Sequence, residues 1–228
     1  MLKRSLIVVV FLSLVLLNVG DALAVSASKL DLRIKEAREV LEEMQEMPDQ
    51  SIPKDLIENC AGIAIFPSVI KGGFIIGGQY GQGVLLNKDK KTGKWSPPVF
   101  VSIGGASFGF QIGGRASDMI LVIGGRRSVE SLSHSNVTLG GDASVAAGPV
   151  GRDASVDTDV LLKAGILSYS RSRGLFAGIS LKGAIVGPMK NLNEKYYGKG
   201  TTADDILFSG KVKPTKAGRE LIGFLNKY

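Results

Sequence analysis

Residues 99–113 read Val-Phe-Val-Ser-Ile-Gly-Gly-Ala-Ser-Phe-Gly-Phe-Gln-Ile-Gly. Val99, Val101 and Ile103 share one side of an extended chain against Phe100 and Ser102, while Phe108, Phe110 and Ile112 oppose Ser107, Gly109 and Gln111. A two-residue period of this kind marks a half-buried antiparallel strand. The same alternation returns where Leu175, Ala177, Ile179 and Leu181 oppose Phe176, Gly178, Ser180 and Lys182. Met119 to Ile123 is continuously apolar and reads as a central strand, and residues 159–169 read as another. Turns are expected at 89–93, 115–117 and 170–174.

Outward from this body the period becomes helical. Leu30, Ile34, Ala37, Leu41 and Met44 recur at three- and four-residue steps, with Arg33, Glu36, Glu39, Glu43 and Glu46 on the remaining faces. Ser28 suits the start of this amphipathic helix and Pro48 its end, and a short second helix is expected from Pro53 to Asn59. Helical stretches are expected again at 191–197, 203–208 and 215–226. Six Gly-Gly pairs (72/73, 77/78, 104/105, 113/114, 124/125 and 140/141) punctuate the strands and predict bulges or bends that curl the sheet. The expected fold is α+β: a strongly curved, mainly antiparallel β-sheet or partial barrel with an N-terminal amphipathic helix and short C-terminal helices.

Residues 1–24 have the pattern of an export signal. Lys3 and Arg4 precede an apolar run from Ser5 to Leu17, and Ala22 and Ala24 fit the peptidase sites, so cleavage is expected before Val25. The rest reads as a single domain over 25–228, with a helical element at 28–59, a β-rich body at 60–187 and C-terminal helical segments at 190–227. The expected location is periplasmic or extracellular, peripheral to a membrane. Retention of residues 1–24 as an anchor is the alternative.

The 228 residues carry 28 Lys plus Arg against 21 Asp plus Glu, a net charge of +7. Residues 28–58 hold five basic and nine acidic residues, whereas 59–228 hold 21 basic and 11 acidic ones. A basic body with an acidic helix points to an anionic partner. The single Cys60 excludes an internal disulfide, and the single His134 excludes a multi-histidine metal cage. No cofactor is implied. Cys60, set among Ala61, Ile63 and Ile65, reads as a small buried hydrophobe.

Catalytic patterns fail on context. Gly105-Ala-Ser107-Phe-Gly109 matches a nucleophile elbow, followed by Asp118 and His134 in hydrolase order, but strand alternation follows the serine where the elbow needs a helix. Asp153, Ser155, Asp157 and Asp159 have calcium-loop spacing without the loop's sixth-position glycine or twelfth-position glutamate. Gly78 to Gly83 lies within strand pattern and opens no helix, so it is not a dinucleotide fingerprint. Nucleic acid is not expected as a partner, because the basic residues are not interleaved with aromatics.

Residues 60–67 (Cys-Ala-Gly-Ile-Ala-Ile-Phe-Pro), Gly81-Gln-Gly83, Trp95-Ser-Pro-Pro98, Phe110-Gln-Ile-Gly113, Gly148-Pro-Val-Gly-Arg152, the run from Tyr169 to Ser180, and Asn191 with Tyr196-Tyr-Gly198 together resemble the SYLF domain over roughly residues 30–210. The resemblance implies a phosphoinositide-binding module, with actin binding in some eukaryotic members, and matches the exported bacterial layout of a signal followed by the domain. Eukaryotic members carry a basic amphipathic segment at the N-terminus; here that position holds the signal-like run and an acidic helix.

The expected function is therefore non-enzymatic binding of anionic lipid or phosphoinositide-type headgroups through the basic body. The alternative is an envelope scaffold or protein-interaction module. Candidate contacts are Arg126, Arg127, Arg152, Arg171, Arg173, Lys88, Lys90, Lys91 and Lys94. Arg171 and Arg173, in a turn-like Ser-Arg-Ser-Arg-Gly run, are the preferred pair to bracket one phosphate; their structural alternative is pairing with Asp153, Asp157 or Asp159.

Overall fold

In the computed structural model the described residues are 27–46, 51–73, 75–109, 115–151, 162–163, 165–172 and 175–228. Helix α1 (Ala27–Gln45) buries Leu30, Ile34, Ala37, Leu41 and Met44, the stripe that its helical spacing defines. Helix α2 (Lys54–Asn59) starts behind Pro53, whose φ of −52° already suits a helix. The chain then runs through strands β1 (Gly62–Gly73), β2 (Ile75–Asn87), β3 (Val99–Gly109) and β4 (Arg115–Ile123). Helix α3 (Arg126–His134) follows, then β5 (Val137–Thr138), β6 (Val145–Ala147), β7 (Ile166–Ser172), β8 (Leu175–Gly178) and β9 (Ile185–Pro188). Helices α4 (Lys190–Tyr197), α5 (Ala203–Leu207) and α6 (Lys216–Leu225) complete it.

The strands form one sheet in the order β5-β9-β3-β2-β1-β4-β7-β6, with β8 added against β7. Only β6 and β7 pair in parallel among the described strands. The sheet curls into a half-barrel, in agreement with the α+β expectation. Its two faces divide the core. Ile63, Ile65, Val84, Leu86, Phe100, Ile120 and Val122 pack under α1 and α6. Ala64, Phe66, Leu85, Val101, Met119 and Leu121 pack on the other side against α3 and α5. Covered on both faces, β4 is buried continuously from Ser117 to Ile123, which is why its sequence shows no alternation.

The bulge does not fall at a Gly-Gly pair. Pairing of β1 with β2 shifts between Ile65↔Val84 and Ile70↔Tyr80, and that of β1 with β4 between Phe66↔Met119 and Val69↔Ser117. One extra residue is therefore held at Pro67–Ser68, where Ser68 takes φ 54° and its N–H donates to Asp118 Oδ1 at 2.9 Å. Gly83 and Gly148 are among the glycines required by close approach. A Cβ on Gly83 would collide with the Ile65–Phe66 backbone beside this bulge, and one on Gly148 with the Tyr169 ring.

Three further expectations are corrected. Residues 115–117 form the start of β4 rather than a turn, with Arg115 paired to Lys71. The described part of the strand expected at 159–169 begins at Ile166, where Gly165 at φ 115° turns the chain into it; residues 159–161 and 164 lie outside the described residues. The strand expected through Leu181 stops at Gly178. Phe110, Ile112, Pro48 and residues 1–26 lie outside the described residues. No helix of the described residues is long and apolar enough to cross a membrane.

Candidate functional site

The register gives the sheet two ends. At one, Gly62 meets both Asn87 and Ile123, and the chain leads into the 88–95 hairpin and into α3. At the other, Lys71 meets both Gln79 and Arg115, and Asp118 meets Arg171. The expected cationic residues that are described split between these ends and form no single cluster.

At the first end the hairpin is built by Asp89, whose Oδ1 accepts from the amides of Lys91 (3.0 Å) and Thr92 (2.8 Å) and from the Thr92 hydroxyl (3.0 Å). These donors, led by the Thr92 amide, hold the Asp89 carboxyl below its ordinary range. Gly93 closes the turn at φ 70°. Lys90, Lys91 and Lys94 project from it, exposed. Lys88 has a different role: its Nζ donates to the carbonyl of Glu58 at 2.7 Å and lies 5.2 Å from the Trp95 ring centre, so it caps the C-terminus of α2. Arg126 pairs with Glu130 at 2.8 Å and stacks on Phe208, whereas Arg127 is exposed beside it.

Arg171 does not stand in an open turn. It lies in β7, its Nε 2.7 Å from Asp118 Oδ2, also paired with Glu43 of α1 and set over the Phe176 ring. Its acid partners among the described residues are Asp118 and Glu43; the expected alternative partners at 153, 157 and 159 lie outside the described residues. Burial pushes the Asp118 carboxyl up, and the Ser68 amide opposes that. Arg152, Arg173 and the three aspartates at 153, 157 and 159 lie outside the described residues.

The elbow triad is not assembled. Asp118 is occupied by Arg171 and Ser68. His134 sits in a cavity of about 260 Å³ with Asn193, Thr202 and Asp204. Its Nδ1 is 2.6 Å from the Glu130 carbonyl and its Nε2 2.9 Å from Asp204 Oδ2, two acceptors that favour protons on both nitrogens. The Asp204 hydrogen bond accordingly raises its pKa, and an Nδ1–H given to the Glu130 carbonyl leaves no lone pair there to take a proton from Ser133 at 3.2 Å. Cys60 is buried, its thiol pushed up to about 12 by desolvation while Sγ donates to the Ile57 carbonyl, as a structural cysteine should be. Among the described residues no group of three or more His, Cys, Asp or Glu could hold a metal.

Sequence reasoning missed the surface of the second end. Lys71 and Arg115 are direct cross-strand neighbours and therefore point to one face. Among the described residues neither has an ion-pair partner. Lys71 is half-buried, and desolvation together with Arg115 lowers its pKa. On the opposite face a transverse row joins Ala116, Ile70, Tyr80, Gly104 and Ile185 across five strands. Ile70 is 62%, Tyr80 54% and Ile185 44% exposed. Lone cations inside otherwise uncharged strand sequence were the available signal.

The fold and these surfaces define an α+β half-barrel domain with a basic, partly apolar exterior. Residues 104–228 match the Ysc84 family, described as Las17-binding protein actin regulator. Similar proteins include rat SH3 domain-containing YSC84-like protein 1, 37% identical over 207 residues, which cover 88% of this chain and 60% of that protein. The human protein of the same name is 37% identical over 196 residues (83% and 57%). LAS seventeen-binding protein 3 of Saccharomyces cerevisiae is 37% identical over 172 residues (74% and 37%). The chain belongs to the Ysc84 family, which carries the SYLF-type domain. It spans about 60% or less of the length of these relatives.

Proposed function

We propose that this chain is a non-catalytic binding module whose basic β-rich body docks on an anionic surface, with phospholipid headgroups as the ligand. One observation carries the reading. From Asn59 to Ser117 the sequence holds a single acid, Asp89, and the hairpin occupies its carboxylate with donors. Lys71, Lys90, Lys91, Lys94, Arg115 and Arg127 have no ion-pair partner among the described residues. Each basic side chain near an anionic bilayer contributes about 1 kcal/mol, so several together give firm, salt-sensitive binding. Sedimentation with vesicles tests it: binding to phosphatidylserine-containing vesicles at 0.1 M salt is expected, with loss near 1 M salt and no binding to neutral vesicles. Salt-insensitive or absent binding overturns it.

A second reading is a protein-interaction module, favoured by the description of the matched family as actin regulators and by the yeast relative's name, which gives Las17 as its partner. Co-sedimentation with actin filaments separates the two, since a filament-specific module leaves the vesicle fraction empty. Residues 1–24 are proposed to be an export signal; the mass of the mature N-terminus, expected at Val25, tests this.

A further inference from the structure

We infer that the second end of the sheet, where β1 and β2 run out beyond α1, is the part of the molecule that enters the headgroup layer of an anionic bilayer. The inference rests on the lipid-binding reading above and assigns it a place and an orientation.

The two faces of this end have complementary chemistry for a bilayer boundary. Ile70, Tyr80 and Ile185 form a largely exposed apolar row, with Arg33 of α1 near Tyr80. The next row outward, Gly72 opposite Gly78, has nothing within 4 Å of where a Cβ would stand, so a flat surface can approach the backbone. Exposed apolar side chains grouped along one row are costly in water, and a tyrosine among them suits an interface that is apolar on one side and wet on the other.

On the opposite face Lys71 and Arg115 stand side by side. Like charges directly across an antiparallel pair repel, and a phosphate between them turns that repulsion into two charge-assisted hydrogen bonds. Among the described residues the acids of this region offer no internal substitute. Asp118 and Glu43 are both taken by Arg171, and Glu36 lies beside Arg33. A free inorganic anion would satisfy the cations but would leave the apolar row in water, whereas a bilayer serves both faces at once. The first end lacks this pairing: its lysines project from a polar turn with Asp89 and Thr92.

The experiment uses the full chain and a reporter local to this end. An Ile70→Trp variant, added to phosphatidylserine-containing vesicles, should shift its emission to the blue and be quenched by bromine carried on the lipid chains; buried Trp95 supplies a constant background. A Lys71→Ala/Arg115→Ala variant with an unchanged circular dichroism spectrum should bind these vesicles on the order of tenfold more weakly. Lys54→Ala/Lys211→Ala, which removes two cations already paired with Glu58 and Asp205, should bind within about threefold of the parent. Full binding by the double variant with no quenching at position 70 overturns the placement and leaves the lipid reading standing. Absence of vesicle binding by the parent chain overturns both. Loss of actin-filament binding in the double variant with vesicle binding intact assigns this end to a protein, and a dimer that hides position 70 from lipid assigns it to a second copy; either result overturns the inference.

Discussion

Two ends of one sheet are built on opposite rules. At the end where Gly62, Asn87 and Ile123 meet, strands are covered on both faces, and Lys88 and Arg126 are held by carbonyls, carboxylates or rings. At the far end the same strands outrun α1, expose isoleucine and tyrosine to solvent, and set two cations side by side. The contrast separates residues that hold the fold together from residues that the fold presents. It also shows that net charge is a poor guide to a binding surface, since several of the expected cations serve inside the domain.

The sharpest test of this contrast lies within β1. Ile65 is fully buried and Ile70, five residues on, is mostly exposed. Ile65→Ala should cost about 3–4 kcal/mol in urea unfolding, through lost transfer energy and a cavity, while Ile70→Ala should change stability by about 0.5 kcal/mol or less. Comparable losses would mean that the far end is packed and the contrast wrong. Arg171→Ala comes next. It leaves Asp118, 12% exposed at its side chain, without its cation, and an expected loss of about 2 kcal/mol follows from stranding a largely buried carboxylate. An unfolding midpoint equal to that of the parent would return Arg171 to the pool of ligand contacts.

Smaller effects belong to the helices at the covered end. Thr202 accepts from the Asp205 amide and Asp205 returns a contact to the Thr202 amide, a reciprocal cap for α5. Thr202→Ala should lower stability by about 1 kcal/mol, measured by the same urea titration. The smallest effect is that of His134. Its folded pKa is raised by Asp204, so its contribution is complete below about 6.5 and disappears as pH rises through the folded value. As the sole histidine its ring protons report directly: the NMR titration midpoint should lie above about 6.5 and fall in Asp204→Asn. A midpoint below 6.5 would show that the Asp204 contact does not form in solution.

Much of the fold was legible because burial on one face leaves a period in the sequence. β3, the buried run of β4, α1 and the three C-terminal helices all follow from spacing. Helix α3 was not legible: only Val129 and Leu132 among its larger side chains are buried apolar ones, and Gly124 and Gly125 before it look like a turn. The candidate site was legible only as composition. Arg171 was visible as a cation but not as a brace, since its partners stand 53 residues away at Asp118 and on α1 at Glu43. The pairing of Lys71 with Arg115 depends on a one-residue slip at Pro67–Ser68, which no local period records.

That slip has an evolutionary meaning. Val69 and Phe66 lie on the same face although three positions separate them, because Ser68 is absorbed without counting. A chain lacking Ser68 could therefore pair regularly and keep every outer residue of β1 on its present side, whereas deletion elsewhere in the strand would invert them. What it would lose is the amide that Ser68 gives to Asp118. Loss of one residue at this site would therefore leave the faces of the hairpin beyond unchanged.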